Sequence, residues 1–204
     1  GVMVVDDAVM GKLRQGCDDN GLLLIVDEVQ TGMGRTGRLL AHEWSGVRPD
    51  VATLGKGIGG GFPIGACMAT SEAAKGMVAG THGSTYGGNP LAAAAGNAVL
   101  DIILADGFME DVERMGALLR SRLEDVCRRN DSVIHAEVRG RGLLLGIQCR
   151  VPNMDLVTAM RKHGVLVPPA GDNVMRMLPP LNIEEGHIDE AIAALEEVCR
   201  ELGQ

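Results

Sequence analysis

One lysine set among glycines, in Gly55-Lys56-Gly57-Ile58-Gly59-Gly60-Gly61, is the residue of this chain best suited to covalent chemistry. Its neighbours bring no side chains, so the amine is either a solvated loop residue or a group held in a tight, backbone-lined site. A desolvated amine has a lowered pKa, becomes nucleophilic near neutral pH and condenses with carbonyl groups. A pair of acids, Asp27-Glu28, directly follows the apolar run 22–26. A carboxylate at the end of a buried strand is costly unless a cation or a donor meets it. Asp27 can act as a helix cap, or pair with Arg35 or Arg38. Together with Lys56 it allows something more specific. Pyridoxal phosphate takes a lysine at its aldehyde and an acid facing its ring nitrogen, and the acid keeps the ring protonated so that it can accept the electrons of a carbanion.

Two strands must deliver these groups. Residues 22–26 are continuously apolar, as in a strand of a parallel sheet covered on both faces. Residues 51–54 form a second short apolar run ending at the lysine loop. Ligands of open α/β sheets bind at the carboxyl ends of such strands. Around them, residues 9–20 read as a helix stopped at Asn20-Gly21, and 39–44 as a helix or turn. Residues 62–69 read as a further strand, parallel or antiparallel, and Ser71 as the cap of a short helix over 72–78. Asn89 as cap and Pro90 at the first position predict an alanine-rich helix over 91–104. The composition then shifts near Asp106-Gly107. Met115, Leu118, Leu119, Leu123 and Val126 predict an amphipathic helix over 109–129. Strands are expected over 136–139, 143–149, 165–167 and 174–178, and helices over 155–163 and 184–202.

Bulk properties narrow the classes. The 204 residues are 46% hydrophobic and 23% charged, as in an ordinary globular protein. A net charge of -8 argues against a nucleic-acid footprint. No apolar run reaches the roughly 18 residues of a membrane helix. The five cysteines are scattered and odd in number, which favours free thiols in a reducing compartment and, with no signal peptide in view, a cytoplasmic location. His42, His82, His135, His163 and His187 show no metal-ligand spacing, and no metal is expected. Residues 57–61 lack the GxGxxG spacing of a dinucleotide site.

Three stretches taken together resemble the class III aminotransferases: Asp27-Glu28-Val29-Gln30-Thr31-Gly32-Met33-Gly34-Arg35-Thr36-Gly37, then Gly55-Lys56 through Phe62-Pro63, then Gly80-Thr81-His82-Gly83-Ser84-Thr85-Tyr86-Gly87-Gly88-Asn89-Pro90. Arg176-Met177-Leu178-Pro179-Pro180-Leu181 extends the resemblance towards the end of the chain. It implies an α/β fold of type I, aspartate-aminotransferase-like. Residues 1–105 would be the second half of the large, mostly parallel-sheet domain and residues 106–204 a small α+β domain. It also implies pyridoxal 5'-phosphate as cofactor. Lys56 would condense with its aldehyde and shuttle a proton, Asp27 would face the ring nitrogen, and Gln30 would meet the phenolic oxygen. Thr85 would reach the cofactor phosphate of the partner subunit in a homodimer with shared sites. Arg176 and Ser84 would stand on the substrate side, although in some members the arginine is held by a glutamate.

The branch it resembles most transfers the amino group of acetylornithine to 2-oxoglutarate in arginine biosynthesis. Users of ornithine, succinylornithine and 4-aminobutyrate share the motifs. The family's earlier half supplies a glycine-rich phosphate loop, a ring stacked on the cofactor and an arginine for the substrate α-carboxylate. None has a counterpart before Asp27, so the chain is expected to be a carboxyl-terminal half. The competing expectation is a fragment that keeps the fold without turnover.

Overall fold

Residues 1–203 are described in a computed structural model. They form two compact units: Val5–Met109, and Glu110 onward together with Gly1–Val4.

In the first unit, α1 (Asp7–Asp19) is capped by the Asp6 carboxylate, which accepts the Ala8 N–H at 2.7 Å. It ends at Asn20, and Gly21 turns the chain with φ +63. β1 (Ile25–Asp27) is shorter than the apolar run predicts. The Leu22 N–H donates back to Cys17 O at 2.8 Å, so the start of the run belongs to the helix exit and not to the sheet. β1 runs parallel to β2 (Val51–Leu54), with Ile25 opposite Val51 and Asp27 opposite Thr53. β3 (Ala66–Ala69) is antiparallel to β2, with Cys67 opposite Thr53. In the order β1-β2-β3, β1 has a neighbour on one side only. Ile25 is 62% exposed, so the two-faced cover expected from its sequence is not supplied by the described residues.

Asp50 ties this unit at the start of β2. Its carboxylate accepts from Arg14 and from the Leu24 N–H, both at 2.7 Å. These bonds, the backbone one foremost, hold it below the usual carboxylate range. Residues 41–45 and 73–76 are 3-10 turns. The second is started by the Thr70 hydroxyl, which accepts the Ala73 N–H, and not by Ser71. α2 (Pro90–Ile103) begins as its sequence predicts, with the Asn89 side chain accepting the Ala92 N–H at 2.9 Å. A small core of Met33, Leu54, Ile58 and Ile103 closes the unit.

The second unit has a larger core. α3 (Phe108–Arg129) buries Val112, Met115, Leu119, Leu123 and Val126 along one stripe. β4 (Ile134–Arg141) and β5 (Leu144–Cys149) form a hairpin, followed by α4 (Asn153–Lys162), β6 (Pro169–Ala170), β7 (Val174–Met177) and α5 (Glu185–Leu202). The sheet is antiparallel in the order β4-β5-β7-β6. Gly140 has φ +111, and a Cβ there would stand 1.9 Å from Leu144 O, so only glycine fits the hairpin. β6 falls later than the expected 165–167. The Val165 N–H still bonds Met160 O at 3.0 Å, closing the end of α4. Among the described residues no single helix is long and apolar enough to cross a membrane.

Candidate active site

Asp27 ends β1 on the sheet face that also carries Thr53 and Cys67, one row across three strands. The Val29 N–H donates to its Oδ1 at 2.9 Å and the Thr53 hydroxyl to the same oxygen at 3.3 Å. The aspartate therefore makes its own turn and is steadied by the neighbouring strand. Both bonds use Oδ1, so Oδ2 keeps its accepting capacity, and the residue is exposed. Neither Arg35 nor Arg38 pairs with it among the described residues. The Arg38 guanidinium instead stacks 4.5 Å from the centre of the Trp44 ring, and burial pushes the Arg35 guanidinium below its usual value.

Beyond Asp27 the chain curls. The Gly32 N–H donates to Glu28 O at 2.9 Å. A Cβ at Gly32 would stand 2.8 Å from Leu54 Cδ2 and 2.9 Å from Glu28 O, so glycine is required. Gln30 sits inside this curl, half-buried and hydrogen-bonded.

Lys56 follows β2 across Gly55. It has φ +47, a left-handed conformation that non-glycine residues seldom adopt and that carries strain. It opens a 3-10 turn, Lys56–Gly59, closed by Gly60 at φ +57 and anchored by buried Ile58. Two close approaches join this turn to the curl after β1. A Cβ at Gly55 would lie 3.2 Å from Val29 Cγ1, and one at Gly57 would lie 3.4 Å from Met33 Cβ. The glycines flanking Lys56 thus let the two strand ends pack together, bringing Lys56 and Asp27 to one edge. The lysine itself is exposed. The enclosed amine considered from its sequence is not enclosed by this chain, because Gly55 and Gly57 have no side chains to cover it.

Ser84 and Thr85 lie in an exposed loop of the same unit and make no hydrogen bond to Asp27 or Lys56 among the described residues. The loop is shaped locally. A Cβ at Gly87 would come within 2.9 Å of the Ser84 side chain, and Asn89 Nδ2 donates to Tyr86 O at 2.9 Å. Arg176 belongs to the other unit, on β7 opposite Gly146, half-buried and hydrogen-bonded, with its N–H donating to Pro168 O at 2.9 Å.

Thr53 and the Glu28–His42 contact escaped the reading of the residues, which gives Glu28 as a structural acid without its partners. Thr53 steadies Asp27, and its signal lay in strand pairing, which no single run of residues reveals. The donor set suits pyridoxal phosphate: an accessible amine, an acid with one oxygen fixed and one still able to accept, and an amide in the adjoining curl.

Comparison with known proteins bears on this arrangement. The model of the family "Aminotransferase class-III" matches residues 1–199. The chain belongs to the class III aminotransferases, and its fold is the α/β fold of that family. It is 54% identical over 202 residues to the acetylornithine aminotransferase of Brucella melitensis, covering 99% of this chain and 50% of that protein. It is 55% identical over 190 residues to that of Agrobacterium fabrum, covering 93% and 47%. Among solved structures, the ornithine delta-aminotransferase of Plasmodium falciparum has a TM-score of 0.91 at 34% identity, covering 100% of this chain and 53% of that one. The Toxoplasma gondii ornithine aminotransferase, whose structure shows partial occupancy of PLP at the active site, has a TM-score of 0.88 at 34% identity, covering 96% and 47%. The chain thus spans about half the length of the curated relatives it matches.

Proposed function

We propose that the chain carries the lysine-bearing part of a pyridoxal-phosphate-dependent aminotransferase that moves the amino group of N-acetylornithine to 2-oxoglutarate, a step of arginine biosynthesis in the cytoplasm. The donor leaves as a carbonyl compound and 2-oxoglutarate becomes glutamate. One observation carries the reading: Lys56 and Asp27 emerge at the ends of adjacent parallel strands whose turns pack through Gly55 and Val29.

Pyridoxal phosphate, when bound, supplies an electron sink for the carbanion formed at the substrate carbon. The remaining work falls to the chain. The Lys56 amine would hold the cofactor at its carbonyl carbon, and its Nζ would take and return the migrating proton. Asp27 Oδ2 would accept the hydrogen bond of the ring N–H, while Val29 and Thr53 keep Oδ1 from turning away. Gln30 would meet the phenolic oxygen. Thr85, on its exposed loop, suits the phosphate of a second subunit's cofactor, which makes a homodimer with shared sites the working assembly. Arg176 meets a substrate carboxylate, with Ser84 on the substrate side.

Single-turnover assays with N-acetylornithine, succinylornithine, ornithine and 4-aminobutyrate test the donor. Loss of the violet cofactor absorption fastest with N-acetylornithine is expected, and faster loss with another donor overturns that choice. The exposure of Lys56 favours one second reading, a chain that keeps the fold but binds no cofactor by itself. Cofactor per chain after dialysis separates the two.

A further inference from the structure

Glu28 directly follows Asp27 and does a different job. Asp27 is exposed, whereas Glu28 is 3% exposed. A buried carboxylate is tolerated when donors meet it. Here the Thr31 hydroxyl donates to Oε2, the His42 N–H donates to Oε1 at 2.9 Å, and His42 Nδ1 lies 3.1 Å from Oε1. The backbone of Glu28 is equally committed. Its N–H donates to Thr53 O and its carbonyl accepts the Gly32 N–H, both at 2.9 Å. One residue thus fastens the end of β1 to β2, closes the curl that contains Gln30, and holds residues 41–45 against it.

We propose that Glu28, locked by Thr31 and His42, is a positioning residue that aims Asp27 and Gln30 at the ring of pyridoxal phosphate. The inference rests on the cofactor reading above. It explains why a carboxyl group is kept in the interior beside an acid that faces out. Glu28 does not touch the ring. It fixes the backbone on both sides of the groups that do.

The test incubates the 204-residue chain with pyridoxal phosphate, as wild type and as Thr31→Val, Thr31→Ser and Glu28→Gln. Borohydride fixation and peptide mass read attachment to Lys56. The ratio of violet to near-ultraviolet absorption reads the ring contacts, and dialysis reads retention. Attachment to Lys56 is expected in all four. Thr31→Val and Glu28→Gln are expected to change the ratio and weaken retention roughly tenfold, the size of a lost hydrogen bond to a charged group. Thr31→Ser restores the hydroxyl and should return both to the wild-type values. Lys56 attachment with an unchanged ratio in both variants, even with a lower thermal midpoint, overturns the positioning role and leaves the cofactor reading standing. No attachment in the wild type overturns the cofactor reading and this role with it. Should Glu28→Gln fail to fold, Thr31→Val decides, since it leaves the Glu28 side chain and its His42 contacts in place.

Discussion

The two units of this chain solve the problem of burial differently. Of the buried apolar side chains, twenty-seven lie in the unit from Glu110 onward and six in Val5–Met109. The large exposed apolar side chains are distributed the other way. Thirteen belong to Val5–Met109, including Leu22, Leu23, Ile25, Met77, Val78, Leu91 and Ile102. One unit closes a core around α3, β5 and α5. The other holds the candidate chemistry on a three-stranded sheet fastened by specific polar bonds, such as Arg14–Asp50 and Asp27–Thr53. Stability and chemistry are thus housed apart, and the unit that displays Lys56 is the one with least core of its own.

Truncations sharpen this contrast most. Leu123, fully buried on α3, should cost about 2–5 kcal/mol as Leu123→Ala. Leu23, 53% exposed, should change stability by only about 0.5 kcal/mol as Leu23→Ala. Denaturant melts of the two variants read the difference, and equal costs would erase the distinction between the units.

Alkali should act on the second unit next. Burial pushes the Cys127 and Cys199 thiols up to about 12 and the Cys149 thiol up to about 11, from an ordinary 9.0. A raised pKa favours the neutral thiol in the folded state. The stabilisation is therefore complete below pH 9.0 and is lost as pH rises towards 11 and 12. A thiol reagent at neutral pH should label exposed Cys67 at once and Cys127, Cys149 and Cys199 only on unfolding. Rapid labelling of all five would contradict the closed core.

Smaller effects belong to the first unit. Asn89→Ala removes the cap of α2 and should cost about 1 kcal/mol. Asp50→Asn should weaken the first unit slightly at neutral pH. The Asp50 carboxyl is held below its ordinary 3.8, so its contribution is present above that pH and fades as pH falls below it. Melts of this variant and the wild type should converge only once pH has fallen through the folded value of Asp50, which lies below 3.8; a difference that persists in still stronger acid would mean the side chain acts by packing alone.

Local patterns made part of this legible. Asn89-Pro90 marks the start of α2 and the stripe from Met115 to Val126 marks the buried face of α3, because a cap and a helical period act within a few residues. Val51–Leu54 and Lys56 stand out for the same reason. What escaped is either a short-range bond that no residue type announces or a contact with a partner distant in sequence. Leu22 bonds back to α1, Ala73 turns on Thr70, and β6 waits until the end of α4 is closed. Val2 packs where a Cβ on Gly146 would stand 2.9 Å away, across more than half the chain. Glu28 reads from the sequence as a structural acid beside Asp27, but its partners Thr31 and His42 show only in the fold.

The most direct measurement is to reduce the chain with borohydride in the presence of pyridoxal phosphate and locate the attached group by peptide mass. The account predicts a single pyridoxyl group on Lys56, lost in Lys56→Ala and weakened in Asp27→Asn. Attachment spread over Lys12, Lys75 and Lys162, or retained unchanged in Asp27→Asn, would contradict it.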